Sequence, residues 1–141
     1  NLKVGDEYLY QYLAGKVAEW GRDLLGKYGY SSVGAVVGAT YPGELKVLRR
    51  IMPHTPLLLP GYGAQGAGGR DVAAAFDDKG LGAVVNSSRA LAGAYLRAEK
   101  PECVTAEEFK KYTRDEALRM RDDITDAIKN RDINMQGECQ S

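Results

Sequence analysis

The stretch Leu57–Arg70, LLLPGYGAQGAGGR, indicates how the rest of the chain is organised. Its three leucines form a continuous apolar run, as is typical of a parallel strand covered on both faces. Pro60 ends the run, and four glycines follow it, Gly61, Gly63, Gly66 and Gly68. Because glycine has no Cβ, such a loop can turn its backbone N–H groups toward a ligand at close range. Gln65 adds a side-chain amide to this loop.

A second segment, Ala83–Arg89 (AVVNSSR), repeats the pattern of an apolar strand that stops at polar residues. Ala83–Val85 is the predicted strand, and its polar end consists of Asn86, Ser87, Ser88 and Arg89. Two successive strands that end in N–H-rich or arginine-bearing segments predict a phosphate clamp. On a (β/α)₈ barrel, phosphate usually binds at the ends of the last two strands, beside a short helix.

The composition excludes several other classes of protein. The 141 residues carry 19 Lys and Arg against 19 Asp and Glu, which argues against a nucleic-acid partner. No apolar run approaches the roughly 20 residues of a membrane-spanning helix, so no membrane partner is expected. The two cysteines, Cys103 and Cys139, lie in a charged linker and in the tail, which favours a reduced, cytoplasmic protein over a disulfide. Neither has the histidine spacing of a metal site.

The first part of the chain predicts a helix, a strand and a second helix. The first helix spans Asp6–Leu25, with Asp6 as N-cap and Gly26 at its end. Apolar residues at steps of three and four place one face of it in the core: Leu9, Leu13, Val17, Trp20 and Leu24. A buried strand, Val33–Thr40, and a helix, Gly43–Met52, follow. His54, the only histidine, is assigned to a surface turn, because a helix-to-strand return lies opposite the strand ends that form α/β sites.

The second part predicts two further units and a long helix. Arg70–Phe76 forms a short helix, with Arg70 in its first turn rather than as a ligand. Arg89–Tyr95 forms another. Thr105 and Glu108 have the spacing of a capping box and open a helix to about Arg131. Its dense mixed charges predict a solvated outer face.

Together these elements predict an α/β fold with parallel strands near residues 33–40, 57–60 and 81–86. A (β/α)₈ barrel uses roughly 250 residues for eight such units, so 141 residues cover little more than half of one. An open three-stranded sheet would leave a bare edge. The expectation is therefore that residues 1–141 are a portion of a single (β/α)₈ (TIM) barrel domain, and that the remaining strands lie outside this chain or come from a partner chain.

Three segments in sequence order carry a family resemblance: VVGATYPGELKVLRRIMP, LLLPGYGAQGAGGRDV and GAVVNSSRALAGAY. They resemble the C-terminal half of orotidine 5′-monophosphate decarboxylase, in the branch with a GYGAQG loop and an NSSR strand end. The resemblance runs from about Asp6 to Tyr95. It implies a (β/α)₈ barrel that converts orotidine monophosphate to uridine monophosphate without metal or cofactor, and a homodimer.

The resemblance also implies roles for five residues of this sequence. Gln65 corresponds to the glutamine of the family's closing loop, which bridges the substrate phosphate and the pyrimidine. Arg89 corresponds to the arginine that pairs with the phosphate, and the amides of Gly66 and Ser88 face the same phosphate. Pro60 corresponds to the proline that begins the mobile loop.

The catalytic motif of that family has no counterpart in these 141 residues. The family uses an alternating Lys/Asp array with the form Asp-x-Lys-x-x-Asp on an earlier strand. The nearest string, Asp126–Asp132, has the wrong spacing and is interpreted as solvated charge. No catalytic residue is therefore assigned here, and the chain alone is expected to be inactive. The alternatives are another phosphosugar-handling barrel, such as a keto-gulonate phosphate decarboxylase, and a non-catalytic phosphate-binding or assembly module.

Overall fold

The computed structural model describes residues 2–63 and 66–137, with side chains of the last helix described as far as Arg131. Two 3₁₀ turns follow α3 and α4, at Ala73–Ala75 and Ala94–Arg97, and a third lies at Pro101–Cys103. The strands and α-helices are, in chain order, β1 (Lys3–Val4), β2 (Glu7–Tyr8), α1 (Leu9–Gly21), β3 (Ala35–Val36), α2 (Pro42–Ile51), β4 (Leu57–Pro60), α3 (Gly69–Val72), β5 (Ala83–Asn86), α4 (Ser88–Ala92) and α5 (Ala106–Gly137).

A parallel sheet in the order β3-β4-β5 forms the centre of the fold, with a helix after each strand. This arrangement confirms the predicted α/β class. The strand predicted over residues 33–40 is shorter than expected, since β3 covers only Ala35–Val36 and pairs with β4 alone among the described strands. Its extended backbone nevertheless continues, since the amide of Val37 donates to Leu58 O and that of Ala39 to Pro60 O.

The two faces of the sheet differ sharply in burial. Leu57 and Leu59 point toward the helices and are 2% and 0% exposed. On the other face, Val36, Leu58 and Val84 are in register and are 69%, 38% and 66% exposed. The prediction of a strand covered on both faces is therefore wrong for the described residues. One face of the sheet is apolar and bare.

The core lies between the covered face of the sheet and the helices. α2 begins at Pro42, within one residue of the prediction, and buries Leu45 and Leu48 in the same apolar cluster as Leu57 and Leu59 of β4. The remaining buried members of this cluster include Met52, Tyr62, Val72, Ala75 and Met120. Apolar burial of this kind is the main stabilising term of the fold.

Arg49 of α2 joins several segments at the amino-terminal end of the sheet. Its Nη1 donates to Ala75 O at 3.1 Å and Gly82 O at 3.2 Å. Its Nη2 donates to Thr55 O at 2.7 Å and also to Met52 O. Burial lowers the pKa of this guanidinium. The sequence pattern gave no sign that one arginine would satisfy this many carbonyl groups.

The N-terminal segment departs from the prediction. Gly5, at φ +63°, turns the chain between β1 and β2, so the helix begins at Leu9 and Asp6 is not its N-cap. The helix ends at Gly21 rather than just before Gly26. A Cβ at Gly21 would lie 2.3 Å from Ser31 Oγ. The predicted apolar face is largely exposed: Leu13, Trp20 and Leu24 are 50%, 63% and 51% exposed.

The long helix α5 begins as predicted and ends later. Thr105 N donates to Glu108 Oε2 at 2.9 Å and Glu108 N to Thr105 Oγ1 at 3.3 Å, which confirms the capping box. The helix continues to Gly137, beyond the predicted end.

The prediction that the charges of α5 form a solvated face is wrong for two of them, Glu116 and Arg131. Glu116 is 2% exposed and accepts hydrogen bonds from Arg97 and Arg119. Asp123 is exposed, as predicted, and its carboxylate also accepts a hydrogen bond from the Tyr62 hydroxyl. Arg131, which lies in the string interpreted as solvated, donates to Ala73 O and Phe76 O at 2.7 Å.

His54 lies in an exposed turn at the amino-terminal end of the sheet, as predicted, with Nδ1 2.9 Å from Gly29 O. No described helix has both the length and the apolar character needed to cross a membrane.

Candidate functional site

The carboxyl ends of β4 and β5 lie side by side, because Pro60 pairs with Asn86 in the parallel register. A cavity of about 160 Å³ opens between the two ends. The structure therefore brings together three of the predicted residues, Pro60, Ser88 and Arg89. The cavity is lined by these three and by Gly61, Tyr62, Asn86 and Ser87.

The glycine loop after β4 depends on backbone conformations that other residues rarely adopt. Gly61, Gly63 and Gly66 have φ values of +109°, +74° and +87°. The turn is held by hydrogen bonds from Gly63 N to Ala67 O at 2.8 Å and from Gly66 N to Gly63 O at 2.9 Å. The predicted Gln65 lies outside the described residues, together with Ala64.

The polar end of β5 is organised by Asn86. Its Oδ1 accepts the Ser88 amide at 3.1 Å and the Ser88 hydroxyl at 2.8 Å. The Ser88 amide is thus bonded to Asn86, and the Gly66 amide is bonded to Gly63 O. Gly66 is not among the residues that line the cavity. A ligand that takes these amides must replace those hydrogen bonds.

Arg89 lies in the first turn of α4 and is exposed. Among the described residues, no carboxylate forms an ion pair with its guanidinium. A purely structural role for this arginine would call for an ion pair with a nearby carboxylate. Its position at the cavity without such a pair favours a ligand role.

Tyr62 connects the glycine loop to both the second strand end and α5. Its carbonyl accepts the hydroxyl of Ser87 at 2.9 Å, and Ser87 is 5% exposed. Its own hydroxyl donates to Asp123 Oδ2 at 2.6 Å. Burial, followed by this hydrogen bond, raises the pKa of Tyr62 to about 12. The sequence pattern did not single out Tyr62 or Asp123, although a single aromatic residue among loop glycines was an available signal for Tyr62.

Arg70 and a second cavity both lie apart from the strand ends that form this site. Arg70 is exposed in the first turn of α3 and does not line the cavity between the strand ends. A larger cavity of about 410 Å³ lies along β3, between α1 and α2, and includes Val36, Thr40 and Tyr41 in its lining. It follows the side of β3 that has no strand partner in the described structure.

No family model matches the chain. Individual proteins do match it. Orotidine 5′-phosphate decarboxylase of Rhodopirellula baltica is 52% identical over 99 residues, which are 70% of this chain and 33% of that protein. The enzyme of the same name from Clostridium perfringens strain SM101 is 41% identical over 128 residues, or 90% of this chain and 42% of that protein.

Solved structures give the same result. UMP synthase of Leishmania donovani superposes with a TM-score of 0.54 at 33% identity, covering 82% of this chain and 23% of that one. A Toxoplasma gondii protein assigned as an orotidine-monophosphate decarboxylase superposes with a TM-score of 0.58 at 26% identity, covering 88% and 46%. These matches confirm the resemblance and the fold. This chain spans about a third to two fifths of the length of the two curated relatives.

Proposed function

Because this chain is homologous to one part of the orotidine 5′-phosphate decarboxylases, we propose that it forms the phosphate-binding portion of such an enzyme. The complete barrel would convert orotidine monophosphate to uridine monophosphate (UMP) and CO₂ in pyrimidine biosynthesis. The observation that carries this proposal is the pairing of Pro60 with Asn86, which brings the glycine loop and Arg89 to one cavity. The names of the relatives favour this function over that of a keto-gulonate phosphate decarboxylase.

In this proposal Arg89 is the principal phosphate ligand. Its guanidinium offers a fork of fixed donors to a dianion, and it lies at the cavity without a described ion pair. The amides of Ser88 and Gly66 would add neutral hydrogen bonds once they leave their present acceptors, Asn86 Oδ1 and Gly63 O. Gln65 would bridge the phosphate and the pyrimidine, and Pro60 would fix the start of the loop.

The remaining strands of the barrel would complete the bare surfaces of this chain. They would cover the apolar face formed by Val36, Leu58 and Val84 and extend the sheet beyond β3, where the 410 Å³ cavity lies. The same strands would supply the Lys/Asp array, since the Asp-x-Lys-x-x-Asp motif is absent from these 141 residues. We also propose a homodimer in a reducing cytoplasm, where Cys103 would persist as the exposed free thiol described here.

The proposal is tested by nucleotide binding in a reconstituted barrel, which combines this chain with the part of the R. baltica relative that it does not match. We expect Arg89→Ala to weaken UMP binding by about tenfold to a hundredfold, because a charged hydrogen bond contributes roughly 1.5–3 kcal/mol. Binding of uridine, which lacks the phosphate, should change little. Calorimetric titration measures both.

The matched control is Arg114→Ala, which removes an exposed arginine of α5 away from the cavity. It should leave both affinities unchanged. An equal loss for UMP and uridine in Arg89→Ala would mean that Arg89 has a structural role, and the phosphate clamp would then be rejected.

A further inference from the structure

One carboxylate oxygen of α5 ties together the two ends of the glycine loop. Asp123 Oδ2 accepts the hydroxyl of Tyr62 at 2.6 Å and the backbone amide of Gly69 at 2.7 Å. Tyr62 is the second residue of the loop and Gly69 is the first residue of α3 after it. Both ends of the loop are thus hydrogen-bonded to a single oxygen atom, Asp123 Oδ2.

Tyr62 also connects Asp123 to the polar end of β5, the second part of the candidate site. Tyr62 is 2% exposed, so its ring is fixed in the core between β4 and α5. Its carbonyl accepts the hydroxyl of Ser87, two residues before Arg89. A continuous set of hydrogen bonds therefore runs from Asp123 through Tyr62 to the end of β5.

We propose that Asp123 is a positioning residue for nucleotide binding, which holds the glycine loop and the Arg89 strand end in one arrangement through Tyr62, Ser87 and Gly69. This inference rests on the proposed function, because it assigns the loop to the phosphate of a nucleotide. It goes beyond that function by giving the C-terminal helix a part in binding, although Asp123 does not line the cavity between the strand ends.

The physical reason is preorganisation. A ligand that must order a free loop loses part of its binding free energy to that ordering, whereas a loop with fixed ends costs less to order. A hydrogen bond to a charged acceptor is stronger than one between neutral groups, so the carboxylate suits this role. Loss of Asp123 should therefore weaken binding of ligands that use the loop and spare those that do not.

The chain offers a closely matched control for this contact. Tyr30 donates its hydroxyl to Asp77 Oδ2 at 2.8 Å, beside Gly82 at the amino-terminal end of the sheet. As with Tyr62, burial followed by the hydrogen bond to aspartate raises the pKa of Tyr30 to about 12. Tyr30→Phe thus removes the same kind of bond far from the strand ends that form the cavity.

The experiment compares Asp123→Ala, Asp123→Asn, Tyr62→Phe and Tyr30→Phe in the reconstituted barrel. UMP and uridine affinities are measured by calorimetry, and exchange of the Gly69 amide hydrogen is measured by NMR. We expect Asp123→Ala to weaken UMP binding by about tenfold and uridine binding little, and to accelerate exchange at Gly69. Asp123→Asn keeps an acceptor oxygen and should recover part of the loss. Tyr62→Phe should weaken UMP binding, and Tyr30→Phe should not.

Two results would overturn the inference. The first is a UMP affinity in Asp123→Ala equal to that of the unchanged barrel. The second is an equal loss in Tyr30→Phe, which would show a general effect of stability. If the unchanged barrel binds UMP no better than uridine, the proposed function itself fails and takes with it the nucleotide part of the inference. The exchange measurement tests the contact itself, whether or not the barrel binds UMP. If Gly69 exchanges at the same rate in Asp123→Ala as in the unchanged barrel, Asp123 does not restrain the loop and the inference is rejected.

Discussion

Gly69 is pressed so closely against α5 that a larger residue has no room there. A Cβ at this position would lie 2.5 Å from the carbonyl oxygen of Asp123 and 2.8 Å from its carboxylate. Gly69→Ala must therefore push α3 away from α5, at a cost of about 1–3 kcal/mol in the free energy of unfolding. Urea unfolding of the reconstituted barrel measures this cost.

Gly15→Ala is the control for that substitution. Gly15 lies in the middle of α1 and has nothing within 4 Å of an added Cβ. Because glycine is a poor helix former, this change should stabilise the protein by about 0.5–1 kcal/mol. Equal effects of the two substitutions would contradict the close approach at Gly69.

At the scale of single residues, the sequence predicted the loop glycines and Arg89 but not the residues that support them. Glycines in a row and an arginine after an apolar strand are local signals. Asp123 and Glu116 carry no such signal, because each lies in a helix whose mixed charges are typical of a solvated surface. Their partners, Tyr62 and Arg97, come from other parts of the chain and are brought near only by folding.

The contact between α5 and the 3₁₀ turn after α4 depends on the charge of Glu116. Hydrogen bonds from Arg119 and Arg97 lower the pKa of its carboxyl group to about 2. A lowered pKa stabilises the folded state above the ordinary carboxyl pKa, and this contribution is lost as the pH falls toward the folded value.

We therefore expect the barrel to lose stability between about pH 4.5 and pH 2 through this group. Because both arginine side chains are more than half exposed, the loss should be on the order of 2 kcal/mol rather than the full value that the pKa implies. Urea unfolding at pH 6 and pH 3 measures it. Glu116→Gln should be less stable at pH 6 and lose less on acidification; an identical loss in both proteins would assign the effect to other carboxyl groups.

At the scale of elements, the agreement between sequence and structure follows the packing. α2, β4 and β5 lie within a residue or two of their predicted bounds, because their apolar residues meet partners inside this chain. The apolar stripe of α1 was predicted by the same reasoning, yet Leu13, Trp20 and Leu24 are exposed. The periodicity identified a helix with an apolar face correctly, but not the location of the surface that covers it.

The molecule as a whole presents an apolar surface that a stable monomer rarely leaves open. Val36, Leu58 and Val84 form a row across the three strands, and the edge of β3 has no described strand partner. Parallel sheets are typically covered on both faces, and open edges pair readily with other chains. The sequence predicted the open edge from the number of strands. It did not predict the bare face. A continuous apolar run indicates a strand that is covered on both faces, but it does not indicate whether this chain or another part of the barrel covers each face.

We expect the 141 residues, produced alone, to self-associate or to unfold without a sharp transition. Contiguous exposed apolar surface favours association, and water contact at this face removes part of the hydrophobic term that a closed barrel would gain. Light scattering with size-exclusion chromatography, over a range of protein concentrations, measures the mass. Adding the part of the R. baltica relative that this chain does not match should shift the mass to a defined complex and sharpen the thermal transition.

Substitutions on the bare face distinguish this cause from general instability. Val36→Thr together with Val84→Thr makes two exposed positions polar, keeps their β-branched shape and leaves the buried Leu57 and Leu59 untouched. In the isolated chain this pair of changes should reduce self-association. In the presence of the complementary part it should weaken the complex, because the same side chains would then be buried without a hydrogen-bond partner. A concentration-independent monomer with one cooperative thermal transition, formed by the unaltered chain alone, would contradict the expectation and would mean that three strands suffice for a stable fold.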